Sequence, residues 1–168
     1  MKIQIIGYSG SGKSTLAKLL ADYYHLPLLY LDNTKFYGYW QEYTYTQQNE
    51  MVKEFLDQHN HWVIDGNYGK IQPQRFKECD IIIFLNYNRF FCLYSCIKRY
   101  FQYKGKKRES CACLEKMDFE FFKWIVYEGR TKQMKQKHLK HLNECQGTKL
   151  IFTSRKQLNK YLKSQGIL

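Results

Sequence analysis

The chain has 168 residues, of which 44% are hydrophobic and 25% are charged, and its formal net charge is +12. These values exclude a disordered chain and are typical of one globular domain with its own core. The charge is uneven, since residues 1–85 hold 8 basic and 9 acidic side chains whereas residues 86–168 hold 19 and 6. We therefore expect the C-terminal half to face an anionic partner, namely nucleotide phosphates, nucleic acid or both, although solvated helix faces account for much of the excess.

Two features of the composition concern the cellular compartment. The apolar run Ile3–Ile6 is too short for the apolar region of a signal peptide, and the longest later run, Ile81–Leu85, is too short to cross a bilayer. We therefore expect a cytoplasmic protein with no membrane partner. In that compartment the six cysteines are expected to be free thiols, and Cys79, Cys92 and Cys96 lie in apolar stretches typical of small core residues.

A glycine-rich stretch follows the first apolar run. Residues 7–14 fit the Walker A pattern G-x-x-x-x-G-K-[ST] at every fixed position, between a short strand and a segment with helical spacing. In this motif backbone N–H groups and a helix N-terminus surround the phosphates, the lysine bridges the β- and γ-phosphates, and the final hydroxyl ligates Mg²⁺. The stretch therefore predicts a site for ATP and Mg²⁺ formed by Gly7, Ser9, Gly10, Ser11, Gly12, Lys13, Ser14 and Thr15.

Up to residue 85 the pattern predicts strands that alternate with helices. The first helix ends near His25 because Pro27 prevents its continuation. Residues 33–43 are predicted to be loop, and Thr44-x-x-Gln47 resembles a capping box that opens a second helix. After the first strand, the predicted strands are Leu28–Leu31, Trp62–Ile64 and Ile81–Leu85.

Beyond residue 85 the pattern predicts three helices and one strand. The first helix is about four turns long, and one face of it is marked by Phe90, Tyr94, Ile97 and Phe101. Residues 104–116 are predicted to be a charged, mobile connection, and a long helix is predicted over 117–142 with Gly129 as a weak point inside it. A last strand, Leu150–Phe152, precedes a helix capped by Ser154. Apolar strands without alternation, separated by helices, indicate a parallel α/β sheet covered on both faces.

Two of the predicted strands end in an aspartate, namely Asp32 and Asp65. In a doubly wound sheet both strand ends open onto the crevice that also contains the Walker A loop. Phosphoryl transfer needs one carboxylate near Mg²⁺ and another that accepts a proton from the attacking hydroxyl. We assign Asp65, with Ser14, to the metal and Asp32 to the acceptor. The alternative for each aspartate is a purely structural helix or turn cap.

Basic residues beyond the Walker A loop are candidates for stabilising the transferred phosphoryl group. The transition state spreads charge over that group, so donors must also come from outside the loop. A lid over residues 99–118 would supply them and exclude water. The candidates are Arg99, Lys104, Lys106, Lys107 and Arg108, with Arg130 beyond the lid. The alternative is an ordinary solvated basic loop.

Four segments together resemble a known family. They are Gly-Tyr-Ser-Gly-Ser-Gly-Lys-Ser-Thr from Gly7, Leu-Asp-Asn-Thr-Lys-Phe from Leu31, Trp-Val-Ile-Asp-Gly-Asn-Tyr from Trp62, and Leu-x4-Lys-Arg-Tyr-x4-Gly-Lys-x-Arg from Leu93. They look like the small P-loop proteins of the DNA topology modulation family, which are similar to adenylate kinase and related small-molecule kinases. The resemblance covers nearly the whole chain.

The resemblance implies a single three-layer α/β domain of the P-loop NTPase fold. Its five-stranded parallel sheet would have the order 2-3-1-4-5, with a helical lid between the last two strands. The implied roles are phosphate binding for Gly7–Thr15, the Walker B acid for Asp65, and lid donors for Arg99, Arg108 and Arg130. Thr153, Ser154 and Arg155 would lie near the adenine.

The acceptor region, residues 33–60, departs from nucleoside monophosphate kinases, which clamp the acceptor phosphate with arginines. Residues 33–64 contain no Arg, and Lys35 and Lys53 are their only basic side chains. The region offers aromatic side chains instead, namely Phe36, Tyr37, Tyr39, Trp40 and Tyr43. A flat or sugar-like acceptor with a hydroxyl group fits this composition, although the aromatics could simply pack the segment together.

Three functions are compatible with these residues. The first is an ATP-dependent kinase of a small hydroxyl-bearing molecule, such as a nucleoside or nucleotide. The second is an ATP-dependent regulator that binds nucleic acid through the basic C-terminal half. The third is an NTPase without an acceptor pocket.

Overall fold

The computed structural model describes residues 1–168 as an α/β domain. Its strands are β1 (Lys2–Gly7), β2 (Leu28–Tyr30), β3 (Phe36–Tyr37), β4 (Gln41–Glu42), β5 (Trp62–Asp65), β6 (Ile81–Leu85), β7 (Lys107–Arg108), β8 (Cys111–Leu114) and β9 (Thr148–Phe152). Its α-helices are α1 (Lys13–Tyr24), α2 (Leu31–Lys35), α3 (Tyr45–Gln58), α4 (Arg75–Glu78), α5 (Arg89–Tyr103), α6 (Phe119–Val126), α7 (Lys132–Glu144) and α8 (Arg155–Ser164). None of them combines the length and apolar composition needed to cross a membrane.

Five strands form a parallel sheet in the order β2-β5-β1-β6-β9. Numbered along the chain within this sheet, that is 2-3-1-4-5, so the predicted fold class is confirmed. The central strands are buried without alternation, because helices cover both faces of a parallel sheet. β1 lies in the middle and β5 and β6 flank it, so the carboxyl ends of all three strands meet at one edge.

The acceptor region contains more regular structure than predicted. Residues 33–43 are not a loop, since they complete the short helix α2 and form an antiparallel β3–β4 hairpin. β2 ends at Tyr30, so Asp32 lies in the first turn of α2 rather than at the end of a strand. The predicted capping box is confirmed, because Thr44 accepts a hydrogen bond from the Gln47 N–H and the Gln47 side chain accepts one from the Thr44 N–H.

The predicted long helix over 117–142 is wrong. It is interrupted by a 3₁₀ turn, Glu128–Arg130, between α6 and α7. Asp118 and Thr131 each cap a new helix N-terminus through their side chains. A Cβ at Gly129 would lie 2.8 Å from the carbonyl oxygen of Trp124, so the turn packs too closely for any larger residue.

Two other features of the C-terminal half go beyond the sequence patterns. Residues 104–116, predicted to be a mobile connection, contain a β7–β8 hairpin between α5 and α6. The apolar stripe of α5, formed by Phe90, Tyr94, Ile97 and Phe101, is exposed. The opposite side of that helix, with Cys92 and Cys96, faces the core. All six cysteine thiols are free and buried.

Candidate active site

The Walker A loop joins β1 to α1 and packs directly against α5. Gly10 has a φ of +77°, and a Cβ there would lie 2.3 Å from the carbonyl oxygen of Cys92 and 2.6 Å from the Cys96 Sγ. Glycine is therefore required at this position both by the backbone angle and by the space available. The loop is therefore packed closely against the first two turns of α5.

Lys13 and Ser14 open α1 beside the end of β5. The Lys13 Nζ donates to the Tyr8 carbonyl oxygen at 3.1 Å, so its ammonium lies against the Walker A loop. The Ser14 hydroxyl donates to the Asp65 Oδ2 at 2.6 Å. The Asp65 Oδ1 is buried and has no hydrogen-bond partner. A hydroxyl and a carboxylate with a spare oxygen are the donor set that Mg²⁺ takes in P-loop proteins, so these residues fit the metal implied by the motif.

The Asp65 carboxyl is held between opposing influences. Burial raises its pKa from 3.8 to about 6, while the Lys13 charge and the Ser14 hydrogen bond act in the opposite direction. Asp32 raises the pKa further and Arg108 lowers it, so both side chains lie close enough to affect this carboxyl. A carboxylate that burial makes costly to ionise is one that a bound cation would stabilise.

Replacement of Asp65 by asparagine is expected to change how stability depends on pH. The folded state binds the Asp65 proton more tightly than the unfolded chain, so the wild-type free energy of unfolding falls as the pH rises from about 4 to about 6. A shift of about two units corresponds to about 3 kcal/mol. Asp65→Asn lacks this titration. In urea denaturation, its stability relative to wild type should rise by about 3 kcal/mol over this range. A difference that does not vary with pH would contradict the burial argument.

The loop after β5 connects the Walker A loop to Asp32. The Asn67 side chain bonds to both main-chain polar groups of Gly7. Its Oδ1 accepts from the Gly7 N–H at 2.9 Å, and its Nδ2 donates to the Gly7 carbonyl at 2.8 Å. The Tyr68 hydroxyl donates to the Asp32 Oδ1 at 2.6 Å. Burial and the Asp32 charge raise the pKa of Tyr68, so this hydroxyl stays a donor. Asp32 is therefore held in one orientation, on the acceptor side of Asp65.

The two lid arginines share one carboxylate. Arg99 donates through Nε and Nη2 to the Glu115 Oε1, at 3.0 and 2.7 Å. The Arg108 Nε lies 2.6 Å from the Glu115 Oε2. Glu115 is 3% exposed in its side chain and is the only acid that either arginine contacts. The predicted lid donors are thus brought together, and Glu115 fixes the base of the lid hairpin.

The lid hairpin lies on the acceptor region. Asn33 of α2 donates to the Glu109 carbonyl at 2.8 Å and accepts from the Ala112 N–H at 2.9 Å. The Trp40 indole donates to the Leu114 carbonyl at 2.9 Å. The aromatics of the acceptor hairpin therefore serve partly to pack it against the lid, and Trp40 also contacts Phe36 edge to face.

Arg130 lies against the Walker A loop rather than over the lid. Its guanidinium sits 3.7 Å from the centre of the Tyr8 ring, and its Nη1 donates to the Tyr87 carbonyl at 2.7 Å. His138 packs edge to face on the same tyrosine ring. Burial lowers the pKa of His138 to about 4, with the Lys13 charge as the next cause, so the imidazole is neutral. Arg130 thus brings its positive charge beside the Walker A loop at Tyr8.

The segment after β9 contributes one side chain to the phosphate region. Thr153 and Ser154 act locally, since Thr153 donates to the Gln157 side chain and Ser154 caps the Gln157 N–H. A Cβ at Gly12 would lie 3.4 Å from the Arg155 Nη2, so the Arg155 guanidinium reaches the start of α1. Of these three residues, Arg155 is therefore the one that a contact places beside the Walker A loop.

The sequence patterns missed several residues of this site. Asn67 and Tyr68 follow a strand that ends in aspartate, and their position at the carboxyl edge of the sheet was a signal that could have singled them out. Glu115 gave no such signal, because nothing in a charged segment distinguishes a buried acid from an exposed one. His138 is likewise an ordinary residue of an amphipathic helix until α7 is placed against Tyr8.

Two solved structures of deoxyadenosine kinase from M. mycoides are similar to this chain. The one with bound dATP is 14% identical with a TM-score of 0.56, and the match covers 99% of this chain and 100% of that chain. The one with the products dCMP and a flexible dCDP is 12% identical with a TM-score of 0.53, over 100% of both chains. At such identities the likeness shows a P-loop kinase-like fold and not an activity.

The sequence comparisons do not assign a family to this chain. No family model matches the sequence, and no curated protein matches it. The resemblance to DNA topology modulation proteins therefore stays a prediction, whereas the kinase-like P-loop fold that it implied is confirmed.

Proposed function

We propose that this protein is an ATP-dependent kinase of a small hydroxyl-bearing molecule, and that a nucleoside is the preferred acceptor class. The observation that carries the proposal is the second carboxylate, Asp32, which the Tyr68 hydroxyl holds at 2.6 Å on the acceptor side of Asp65. A nucleotide switch that does not cleave ATP needs no such group. A kinase needs it to receive the proton of the attacking hydroxyl.

The Walker A loop and its surroundings account for ATP binding. Gly7, Ser9, Gly10, Ser11, Gly12 and Thr15 would contribute backbone or hydroxyl donors to the phosphates. Lys13 and Arg155 would add positive charge at the start of α1. Ser14 and Asp65 would hold Mg²⁺, which neutralises phosphate charge when it is bound. Thr153 and Ser154 would then border the adenine.

The acceptor side favours a hydroxyl without a phosphate beside it. Arg75 is the arginine nearest in sequence to the acceptor region, but it is fully buried and unavailable to a ligand. Lys35 lies 4.7 Å from the centre of the Phe36 ring and 5.3 Å from that of Tyr68, and it also pairs with Glu42. A flat base or sugar fits this aromatic surface better than a second phosphate. The two similar solved structures are named deoxyadenosine kinase, and the acceptor in that name is a deoxynucleoside.

The chemistry then follows from the placement of the side chains. The acceptor oxygen attacks the γ-phosphorus in line, a new O–P bond forms, and the bond to the ADP oxygen breaks. The hydroxyl proton passes to Asp32 and from there to solvent. Lys13 stabilises the charge on the transferred group from the loop, and Arg99, Arg108 and Arg130 would do so from the lid and the 3₁₀ turn.

Removal of the Tyr68 hydroxyl is expected to slow the chemical step and leave ATP binding intact. Tyr68→Phe keeps the ring beside Lys35 but frees Asp32 from the bond that orients it. A hydrogen bond to a charged group contributes about 1.5 kcal/mol, so kcat should fall about tenfold while the KM for ATP changes less than twofold. Tyr45→Phe, which removes a surface hydrogen bond to the Lys70 carbonyl, is the matched control. An unchanged kcat, or a loss confined to the KM for ATP, would contradict a positioning role.

Acceptor preference tests the proposed class directly. Steady-state transfer from Mg-ATP should be compared for nucleosides and for the corresponding 5′-monophosphates. We expect kcat/KM to be at least about tenfold higher for nucleosides, because the acceptor region contains no arginine to bind an acceptor phosphate. A preference for monophosphates would show that the acceptor assignment is wrong while leaving phosphoryl transfer itself standing.

An ATP-dependent regulator that binds nucleic acid is the second candidate. The residues that favour it are the 19 basic side chains in residues 86–168, against 6 acidic ones. Binding to duplex DNA that weakens steeply with salt, at a similar affinity with and without an acceptor, would support this function. The arginines of the lid segment favour the kinase, because they pair with Glu115 beside the acceptor region instead of forming an open basic surface.

A further inference from the structure

Helix α5 has two apolar faces, and only one of them is used within the chain. Cys92 and Cys96 are buried against the Walker A loop at Gly10. On the opposite side, Phe90, Tyr94 and Phe101 are 67%, 64% and 72% exposed, and Ile97 lies between them. Helix α6 packs alongside α5 and adds two further exposed rings. We call this surface the α5–α6 face, and it consists of Phe90, Tyr94, Ile97, Phe101, Phe119 and Phe122.

The α5–α6 face is large enough to form a stable interface. Phe119 is 78% exposed and stacks at 6.4 Å on Phe122, which is 37% exposed. With roughly 200 Å² for a fully exposed aromatic side chain, the six residues expose roughly 700 Å² of mostly apolar surface. The largest apolar patch on a typical monomer is about 300–600 Å², and each partner of a standard interface buries about 800 Å².

We propose that the α5–α6 face binds a second copy of the same chain, with the two α5 helices antiparallel across a two-fold axis. The four apolar residues of α5 are spaced by four, three and four positions. This is the spacing of a helix–helix seam, and it reads the same in both directions along the chain. A contact between two identical surfaces across a two-fold axis requires such self-complementarity. Each pair of contacting residues occurs twice in it, once on either side of the axis. With the axis between Tyr94 and Ile97, Phe90 meets Phe101 and Tyr94 meets Ile97.

The charges on α5 are compatible with this arrangement. The helix contains no acidic residue, so a wrong register would place like charges together. In the antiparallel register Lys98 lies across from Leu93, and Arg89 lies across from Gln102, so no basic side chain opposes another. The net charge of +12 on each copy still produces long-range repulsion. Salt screens that repulsion, so the dimer should become tighter as the salt concentration rises.

Analytical ultracentrifugation of the full chain tests the proposal. The wild-type protein should sediment at twice the mass of 20.4 kDa at about 10 µM protein, and the dimer dissociation constant should fall between about 100 mM and 500 mM salt. The double variant Tyr94→Lys with Phe101→Lys should be a monomer at the same concentration. Both side chains are already exposed, so its melting temperature and secondary structure should remain those of the folded monomer. Tyr45→Lys, an exposed tyrosine on α3, is the control and should stay dimeric.

Three results would overturn the proposal. They are a wild-type monomer up to about 100 µM, a dimer that persists in the double variant, and a dimer that weakens with added salt. A monomer that binds duplex DNA or anionic lipid vesicles through this face, and loses that binding in the double variant, would assign the face to another partner. The proposal does not rest on phosphoryl transfer, so the mass measurement stands even if no kinase activity is found.

Discussion

Lys13→Ala is expected to reduce phosphoryl transfer from ATP by at least about 10³-fold. The Lys13 ammonium lies against the Walker A loop at the Tyr8 carbonyl, and it is the only cation of that loop. It would bridge the phosphates of ATP, where charge develops as the γ-phosphoryl group moves. Its charge also opposes the raised pKa of Asp65, so its loss makes that carboxyl still harder to ionise.

The control for this variant is Lys53→Ala. Lys53 is an exposed lysine of α3 that pairs with Asp57 one turn later, so its removal should change transfer by less than about twofold. Thermal unfolding of both variants separates a lost activity from a lost fold. A Lys13→Ala rate within about tenfold of wild type would mean that the Walker A loop does not hold the transferred phosphate.

Arg75→Met is expected to have the largest effect on stability of any single replacement outside the hydrophobic core. Arg75 is fully buried, and its Nε donates to the Gln4 Oε1 at 3.0 Å and its Nη2 to the Tyr68 carbonyl at 3.0 Å. Its Nη1 donates to the carbonyls of Ile71 and Gln72. Burial lowers the pKa of Arg75 to about 9, so it is still cationic at neutral pH. Methionine would fill the volume but leave the Gln4 Oε1 and the Ile71 carbonyl without a donor, and the carbonyls of Tyr68 and Gln72 would keep only their main-chain donors.

Each unpaired buried acceptor costs about 1 kcal/mol or more, so the free energy of unfolding should fall by about 3–5 kcal/mol and the melting temperature by about 10 °C. Urea denaturation measures the first quantity, and calorimetry measures the second. Lys77→Met, two residues along the same short helix and exposed, should change stability by less than about 0.5 kcal/mol. If Arg75→Met is as stable as this control, the hydrogen bonds of Arg75 do not hold the loop from residue 66 to 74 in place.

The loop held by Arg75 is the one that carries Asn67 and Tyr68. The Arg75 side chain is bonded to the Tyr68 carbonyl, and the Tyr68 hydroxyl is bonded to Asp32. A replacement at Arg75 should therefore also lower kcat, through Asp32, in the fraction of molecules that remain folded. The effect on the KM for ATP should be smaller, because Lys13 and Ser14 are held by α1.

Much of the fold could be predicted because its signals are local. The Walker A residues are contiguous, the sheet strands are short apolar runs, and each predicted capping residue sits one turn from its partner. The sheet order could not be obtained from those runs alone, because pairing is decided by which strands meet in space. It came instead from the resemblance to small P-loop kinases.

The errors have a common physical cause. Periodicity shows which residues of a helix share a face but not which face the protein covers, so the aromatic stripe of α5 did not show that the opposite side, with the smaller Cys92, packs against Gly10. The break at Gly129 depends on a contact with the Trp124 carbonyl, which no pattern shows. Arg75 looked like a loop residue because its acceptors, including Gln4 on the central strand, are brought together only by the fold.

The central claim is that the Walker A loop, Asp65 and Asp32 transfer the γ-phosphoryl group of ATP to a small hydroxyl. The most direct test is to incubate the protein with Mg-ATP and pooled nucleosides, nucleotides, sugars and other hydroxylated metabolites. Mass spectrometry then detects any product that is heavier by one phosphoryl group. We predict one such product, formed by wild type and absent with Lys13→Ala. No product from any pool, with ATP bound or only slowly hydrolysed, would contradict the account and leave a nucleotide-dependent binding protein as the function to test.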